Sequence, residues 1–294
     1  MSVGPPTTIS TPDGRSLDVW LEGPPDGIPL VYHLGTPCAG LPYQPFVDAA
    51  AAHGLRWVSF SRPGYGSSTR KPGRGVADVV ADTATVLDAI GADRAYVAGW
   101  SGGGPHALAC AALMPDRVIA AATVAGVAPY PAEGLDWLAG MGEENVVEFR
   151  AALEGPQALV AFTEQAWPVF RDITADQVAA SFGDLVDEVD RAGATGPVAA
   201  YLAALFREAL REGYWGWFDD DLAFTKPWGF ALASIRRPVH VWQGAHDRMV
   251  PYGHGEWLAA HVGGSCAHLH AEHGHITLAV ESFGEIVGAL VTGS

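Results

Sequence analysis

Three side chains in this sequence could together turn a weak hydroxyl into a nucleophile, and the first of them is Ser101. It lies in Val97-Ala98-Gly99-Trp100-Ser101-Gly102-Gly103-Gly104, a Gly-x-Ser-x-Gly run preceded by a short apolar stretch and followed by an alanine-rich helical pattern. So tight a strand-to-helix turn needs small residues at Gly99 and Gly103, because side chains there would collide with the adjoining backbone. The turn lifts the hydroxyl above the sheet edge at a helix N-terminus, where the backbone dipole favours developing negative charge. In a chain with 36 glycines such a motif also arises by chance, so its flanking elements and two further groups must carry the reading.

A serine hydroxyl needs a base to take its proton, and the base needs a group that fixes its tautomer. Downstream stands Gln243-Gly244-Ala245-His246-Asp247-Arg248-Met249-Val250-Pro251, which places Asp247 in the loop just after a strand. An isolated aspartate there is ordinarily a turn or cap residue. Its position at the carboxyl edge of a sheet, and the order serine, acid, histidine, favour the catalytic role. The other position for an acid, after the preceding strand, is Gly126-Val127-Ala128 and offers none. The tail holds His268, His270, His273 and His275. His275 follows a strand and a loop and opens the last helix, which suits a base swung over the sheet edge; His273 is the competitor. Four histidines so close could also bind a metal, but they lack four-ligand spacing, and no metal is expected.

These groups need a scaffold that brings them to one edge. Thr7–Thr11 and Ser16–Glu22 flank a Pro12-Asp13-Gly14 turn and read as a β-hairpin. Strands are expected at Pro29–Leu34, Arg56–Ser61, Ala95–Ala98, Val118–Val127, Val239–Gln243 and Ala267–His270. Helices are expected at Phe46–His53, Val76–Ile90, Gly104–Leu113, Gly255–His261 and Ile276–Val291. Strands alternating with helices imply right-handed crossovers and a mostly parallel, doubly wound sheet. The alternation stops after Pro129-Tyr130-Pro131 and resumes at Pro238; between them the chain reads as helical and aromatic-rich. The expected organisation is a core over 1–129 and 233–294, with an all-helical cap over 130–232 inserted between two core strands.

The insertion is acidic. From Glu133 to Lys226 there are 18 Asp or Glu and 6 Lys or Arg, a net −12 of the chain's −16. A solvated face on amphipathic helices is the plain account; a field that attracts a substrate amine is the functional one. Trp137, Trp167, Trp215, Trp217 and Trp228 lie in the same segment, mostly to pack it, with one or two expected at a hydrophobic pocket.

The whole chain sets outer bounds. Its 294 residues and 49% hydrophobic content suit one large globular domain with an insertion. No uninterrupted apolar stretch is long enough to span a membrane, and the start of the chain lacks the basic and apolar regions of a signal peptide, so a cytoplasmic location is the default. Cys38, Cys110 and Cys266 have no metal-type pairing and are expected as reduced thiols, Cys110 in the core. The negative charge argues against nucleic acid and anionic membranes as partners.

With these pieces in order, the chain resembles an α/β-hydrolase with a helical cap, over nearly its full length. Val31-Tyr32-His33-Leu34-Gly35-Thr36-Pro37 resembles that family's His-Gly-x-Pro oxyanion loop, and Ser61-Arg62-Pro63-Gly64-Tyr65-Gly66-Ser67-Ser68 resembles its Asp-Arg-Pro-Gly-x-Gly-x-Ser loop. The resemblance implies a triad of Ser101, Asp247 and His275, and an oxyanion hole from the backbone N–H groups of Gly102 and Thr36. Leu34 replaces the usual histidine, leaving His33 one place earlier, so Gly35 is an alternative donor to Thr36. Ser61 replaces the usual aspartate. A serine nucleophile excludes the epoxide hydrolase and haloalkane dehalogenase chemistry of the family, which runs through an aspartyl ester.

The expected activity is therefore hydrolysis of a carboxylic ester or related acyl substrate through an acyl-enzyme, with no cofactor. The partner is a small molecule with a hydrophobic acyl or alkyl group, and Trp100 is expected to face its cavity. One alternative is an aminopeptidase of the proline-iminopeptidase kind, for which a cap carboxylate would point into the pocket. Another is a hydrolase-fold binding protein with slow or no turnover.

Overall fold

The computed structural model describes residues 4–293; Met1–Val3, where the reading against a signal peptide begins, lie outside the described residues. Among the described residues eight strands form one sheet: β1 Thr7–Ser10, β2 Ser16–Glu22, β3 Ile28–His33, β4 Leu55–Phe60, β5 Ala95–Trp100, β6 Val118–Val124, β7 Val239–Gly244 and β8 Cys266–His270. Their order is β1-β2-β4-β3-β5-β6-β7-β8. The β1–β2 hairpin and the β2–β4 pair are antiparallel, and every pairing from β4 to β8 is parallel. The chain winds outward from β3 in one direction to β4 and in the other to β5. The crevice at that reversal, beyond the carboxyl ends of the strands, is where such sheets hold ligands.

The central strands read as near-continuous apolar runs because both faces are covered; every residue of β5 and β7 is buried. One face is packed by α1 (Gln44–Ala52), α11 (His275–Glu281) and α12 (Phe283–Thr292), around Tyr32, Trp57, Phe46 and Phe283. The other is packed by α2 (Val79–Ala89), α3 (Gly104–Leu113) and α10 (Tyr252–His261), around Val31, Val97, Leu108 and Val241. Between β6 and β7 lie six helices: α4 Glu143–Glu154, α5 Pro156–Arg171, α6 Ala175–Ser181, α7 Glu188–Gly193, α8 Gly196–Leu210 and α9 Trp215–Phe224.

The helix expected at Gly255–His261 starts three residues earlier, at Tyr252, and that expected at Val76–Ile90 opens as a 3-10 segment over Val76–Asp78; two further elements differ more. The strand read as Val118–Val127 ends at Val124, because Ala125 turns into the left-handed region (φ 49°). The single helix read over Ile276–Val291 is two helices bent by 63°. Its first half packs against β7 and α7, while its second packs chiefly against α1 and β6 and still touches β7. Among the described residues no single helix is long and apolar enough to cross a membrane, although this bent pair passes on length and composition. The three cysteines are free, with Cys38 and Cys110 buried and Cys266 exposed.

Candidate active site

β5 delivers Ser101 into a one-turn 3-10 segment, Ser101–Gly103, that runs straight into α3. Ser101 itself has φ 56°, a conformation that an ordinary side chain adopts only under local strain and that marks it out among non-glycine residues. The turn is possible only because its neighbours have no side chains: a Cβ on Gly99 would lie 2.1 Å from the Gly103 carbonyl oxygen, and one on Gly103 1.9 Å from that of His33. The sequence therefore sets this geometry locally.

The loop after β7 carries Asp247, whose carboxylate is buried and fully engaged. Oδ1 accepts the backbone N–H groups of Met249 (2.9 Å) and Val250 (2.7 Å). Oδ2 accepts Gln243 Nε2–H (2.9 Å) and faces His275 Nδ1 at 2.8 Å. With Nδ1 donating to the carboxylate, the lone pair falls on Nε2, as a general base requires. His275 is buried, and burial opposes its protonation; the charge and hydrogen bond of Asp247, with the charge of Asp190 behind, nevertheless raise its pKa above the ordinary imidazole value. Trp100 packs its ring 5.3 Å from the imidazole and donates Nε1–H to the His275 carbonyl at 3.1 Å.

Ser101, Trp100 and His275 open on one cavity of about 520 Å³, whose walls include Gly35, Thr36 and Gly102. Among the described residues no hydrogen bond joins the Ser101 hydroxyl to the imidazole; in ligand-free sites that bond commonly tightens only with substrate. His273, the competitor, is not among the cavity residues, and its Nδ1 lies 3.7 Å from Glu281. The tail histidines instead form two small groups, His240–Cys266–His268 and His270–Glu272–His273, neither of which lines the cavity. Each offers three ligand atoms, short of the four a structural zinc takes.

Both candidate oxyanion donors border the nucleophile. A Cβ on Gly35 would lie 3.5 Å from Ser101 Oγ, and one on Gly102 2.5 Å from Thr36 Oγ1. The loop that carries them is held from below by Arg62, whose guanidinium donates to the carbonyls of Leu34 (2.5 Å) and Gly35 (2.7 Å). Arg62 is in turn anchored by Asp220 on α9 (2.6 Å), which also takes hydrogen bonds from Arg74 Nη1 (2.5 Å), Tyr65 Oη (2.8 Å) and Thr36 Oγ1 (2.7 Å). Burial alone would raise the Asp220 pKa, but the two guanidinium groups hold it well below the usual carboxylate range.

Four positions that line or support the candidate site escaped sequence reading. Asp190, on α7, accepts the backbone N–H groups of His275 (2.6 Å), Ile276 (3.0 Å) and Thr277 (2.9 Å) and the Thr277 hydroxyl (2.9 Å), and so caps the helix that carries His275. Nothing in its local sequence signals this. Asp220 and Asp221 had one available signal: with Asp219 they form a run of three carboxylates inside the aromatic stretch 214–224, and α9 is buried around its whole circumference from Gly216 to Phe224. Glu148, on α4, lines the cavity with Asp221. Of the five tryptophans singled out in the insertion, only Trp217 does so.

A family model described as alpha/beta hydrolase fold matches residues 28–277. Among curated proteins, the chain is similar to a non-heme chloroperoxidase of Streptomyces lividans, 29% identical over 247 residues that cover 83% of each chain. Among solved structures it is similar to a hydrolase from Pseudomonas aeruginosa, with a TM-score of 0.71 and 21% identity over 99% of this chain and 98% of the other. It is also similar to an esterase from Exiguobacterium antarcticum, with a TM-score of 0.68 and 18% identity over 98% of both chains. At those identities the solved structures speak for the fold alone, whereas the family match spans β3 to β8, the Ser101 turn, Asp247 and His275. The chain belongs to the alpha/beta hydrolase fold family.

Proposed function

We propose that this protein is a serine hydrolase that cleaves a carboxylic ester, or a related acyl substrate, through an acyl-enzyme on Ser101. The observation that carries the reading is the buried Asp247–His275 hydrogen bond opening on the same cavity as Ser101. His275 Nε2 takes the Ser101 proton as Oγ attacks the carbonyl carbon, and Asp247 stabilises the imidazolium that forms. Negative charge gathers on the carbonyl oxygen between the N-terminus of α3 and the Gly35–Thr36 loop, where a single backbone donor is worth about 3 kcal/mol of transition-state stabilisation. As the carbon–oxygen bond breaks, the imidazolium returns its proton to the leaving alkoxide. Water then attacks the acyl-enzyme, gives its proton to His275, and releases the acid with Ser101 restored. The cavity walls are largely apolar, with Phe162, Phe170 and Phe206 among them, which suits a small or medium hydrophobic acyl group.

The test is a series of p-nitrophenyl esters of increasing acyl length, with a fluorophosphonate probe run beside it. Turnover of short or medium esters with labelling of Ser101 is the expected result. Labelling elsewhere, or no hydrolysis at any length, removes the proposal. Cleavage of alanyl- or prolyl-naphthylamide in place of the esters would redirect it to an aminopeptidase.

A further inference from the structure

Three consecutive aspartates lie buried on α9, and two are neutralised by arginines. Asp219 pairs with Arg70 at 2.8 Å, and Asp220 with Arg62 and Arg74. Asp221 has no such partner. Its two oxygens are fully buried, accept no hydrogen bond from any described N–H or hydroxyl group, and belong to a residue that lines the Ser101 cavity. The Glu148 carboxyl, on α4, lines the same cavity, and its charge acts on Asp221. Glu148 also accepts Trp217 Nε1–H at 2.7 Å, which sets the indole beside the pair.

The position is close to the chemistry. Phe224, three residues after Asp221 on α9, reaches the nucleophile turn: a Cβ on Gly102 would lie 3.0 Å from its ring. Asp221 and Ser101 line the same cavity. The cavity has no lysine or arginine among its lining residues; its charged and titratable side chains include Glu143, Glu144, Glu148, Asp221 and His275. A pair of acids in a cavity of one sign complements a cation by charge and hydrogen bonding.

We propose that Glu148 and Asp221, with the Trp217 indole beside them, form a subsite for a protonated amine on the substrate, in the cavity that Ser101 also lines. That the amine belongs to the molecule being cleaved rests on Ser101 being the nucleophile; the binding itself does not. An ammonium entering the pair donates to both carboxyls and displaces a proton from them, which leaves for solvent. Burial pushes the Glu148 pKa up to about 7, with the Trp217 hydrogen bond opposing. Burial and the neighbouring Glu148 raise that of Asp221 well above its usual range. The charged groups nearest the pair, Asp220 and Arg74, are already bonded to each other. The pair therefore gains negative charge as pH rises through neutrality, while an alkylammonium stays protonated to about pH 10.

The experiment is calorimetric binding of n-hexylammonium and of 1-hexanol to the intact wild-type protein, which requires no turnover. At pH 8 the ammonium is expected to bind about tenfold or more tightly than the alcohol, the advantage of a charge-assisted contact. Titrations in buffers of different ionisation heat should show proton release near neutral pH with the ammonium and none with the alcohol. The preference should shrink at pH 6 and fall about fivefold or more in Glu148→Gln and in Asp221→Asn. Equal or weaker ammonium binding, binding without proton release, or a preference unchanged in both variants overturns the subsite. If a variant does not fold, the wild-type ratio and proton count decide alone. Ammonium preference in a protein whose Ser101 takes no fluorophosphonate would sink the hydrolase reading and leave the subsite standing.

Discussion

Asp190, carried by a helix of the insertion, accepts the backbone N–H of His275 at 2.6 Å. The helices between β6 and β7 thus do more than line the cavity: one of their carboxylates holds the first turn of the helix that presents His275. Replacing Asp190 by alanine removes four hydrogen bonds and a helix cap, a loss of about 2 kcal/mol that a denaturant melt would register. Asp190→Asn keeps the shape and part of the bonding while removing the charge. Because that charge helps to raise the His275 pKa, the acid limb of kcat/KM should move to lower pH in Asp190→Asn. A purely structural role would lower the melting temperature and leave the limb where it was.

The wild-type profile has a definite sign. His275 acts as a base only when neutral, and its pKa is raised. Activity should therefore climb with pH through a midpoint above about 6.5, the ordinary imidazole value. A midpoint below it would contradict the Asp247–His275 pairing as the source of the base.

Asp247→Asn should preserve the fold and lower kcat by roughly 10⁴-fold, because the amide presents the wrong hydrogen-bonding face to Nδ1 and turns the tautomer over. Steady-state kinetics on a p-nitrophenyl ester, with near-ultraviolet circular dichroism to verify folding, checks this. A loss below tenfold would remove Asp247 from the triad.

The Arg62–Asp220 pair supports the oxyanion loop from beneath. Asp220→Ala leaves Arg62 and Arg74 buried without their counter-charge and should cost about 3–5 kcal/mol of stability. Arg62→Lys keeps the charge but not the fork that spans the carbonyls of Leu34 and Gly35. Its expected signature is a fall in kcat of about tenfold or more with KM little changed, as for a group that holds the oxyanion donors in register.

Gly103→Ala tests the nucleophile turn directly. Its Cβ would meet the His33 carbonyl at 1.9 Å, so β5 and α3 cannot both keep their places. Loss of soluble protein, or destabilisation above about 4 kcal/mol by chemical denaturation, is expected. A stable, active Gly103→Ala protein would mean that the turn has another geometry.

Local chemistry made much of this molecule readable in advance. Small residues around Ser101 demand the turn, alternating apolar stretches demand a wound sheet, and Asp247 and His275 each fall just beyond a strand; the structure sets these last two 2.8 Å apart. Less local features were misjudged. The break at Ser282 was invisible because the apolar pattern of Phe283–Thr292 continues that of His275–Glu281, while the bend serves contacts with different neighbours on one face of the sheet.

The limit is plainest at Asp220 and Asp221, adjacent residues of one type on one helix. Two arginines from distant loops hold the first well below its usual pKa, while burial beside Glu148 pushes the second well above. The amino-acid order sufficed for the nucleophile turn, since backbone sterics act between near neighbours. Which carboxylate anchors a loop, which caps the base's helix and which faces the cavity depends on partners roughly 70 to 160 residues away in the chain, and only their packing in three dimensions supplies those charges.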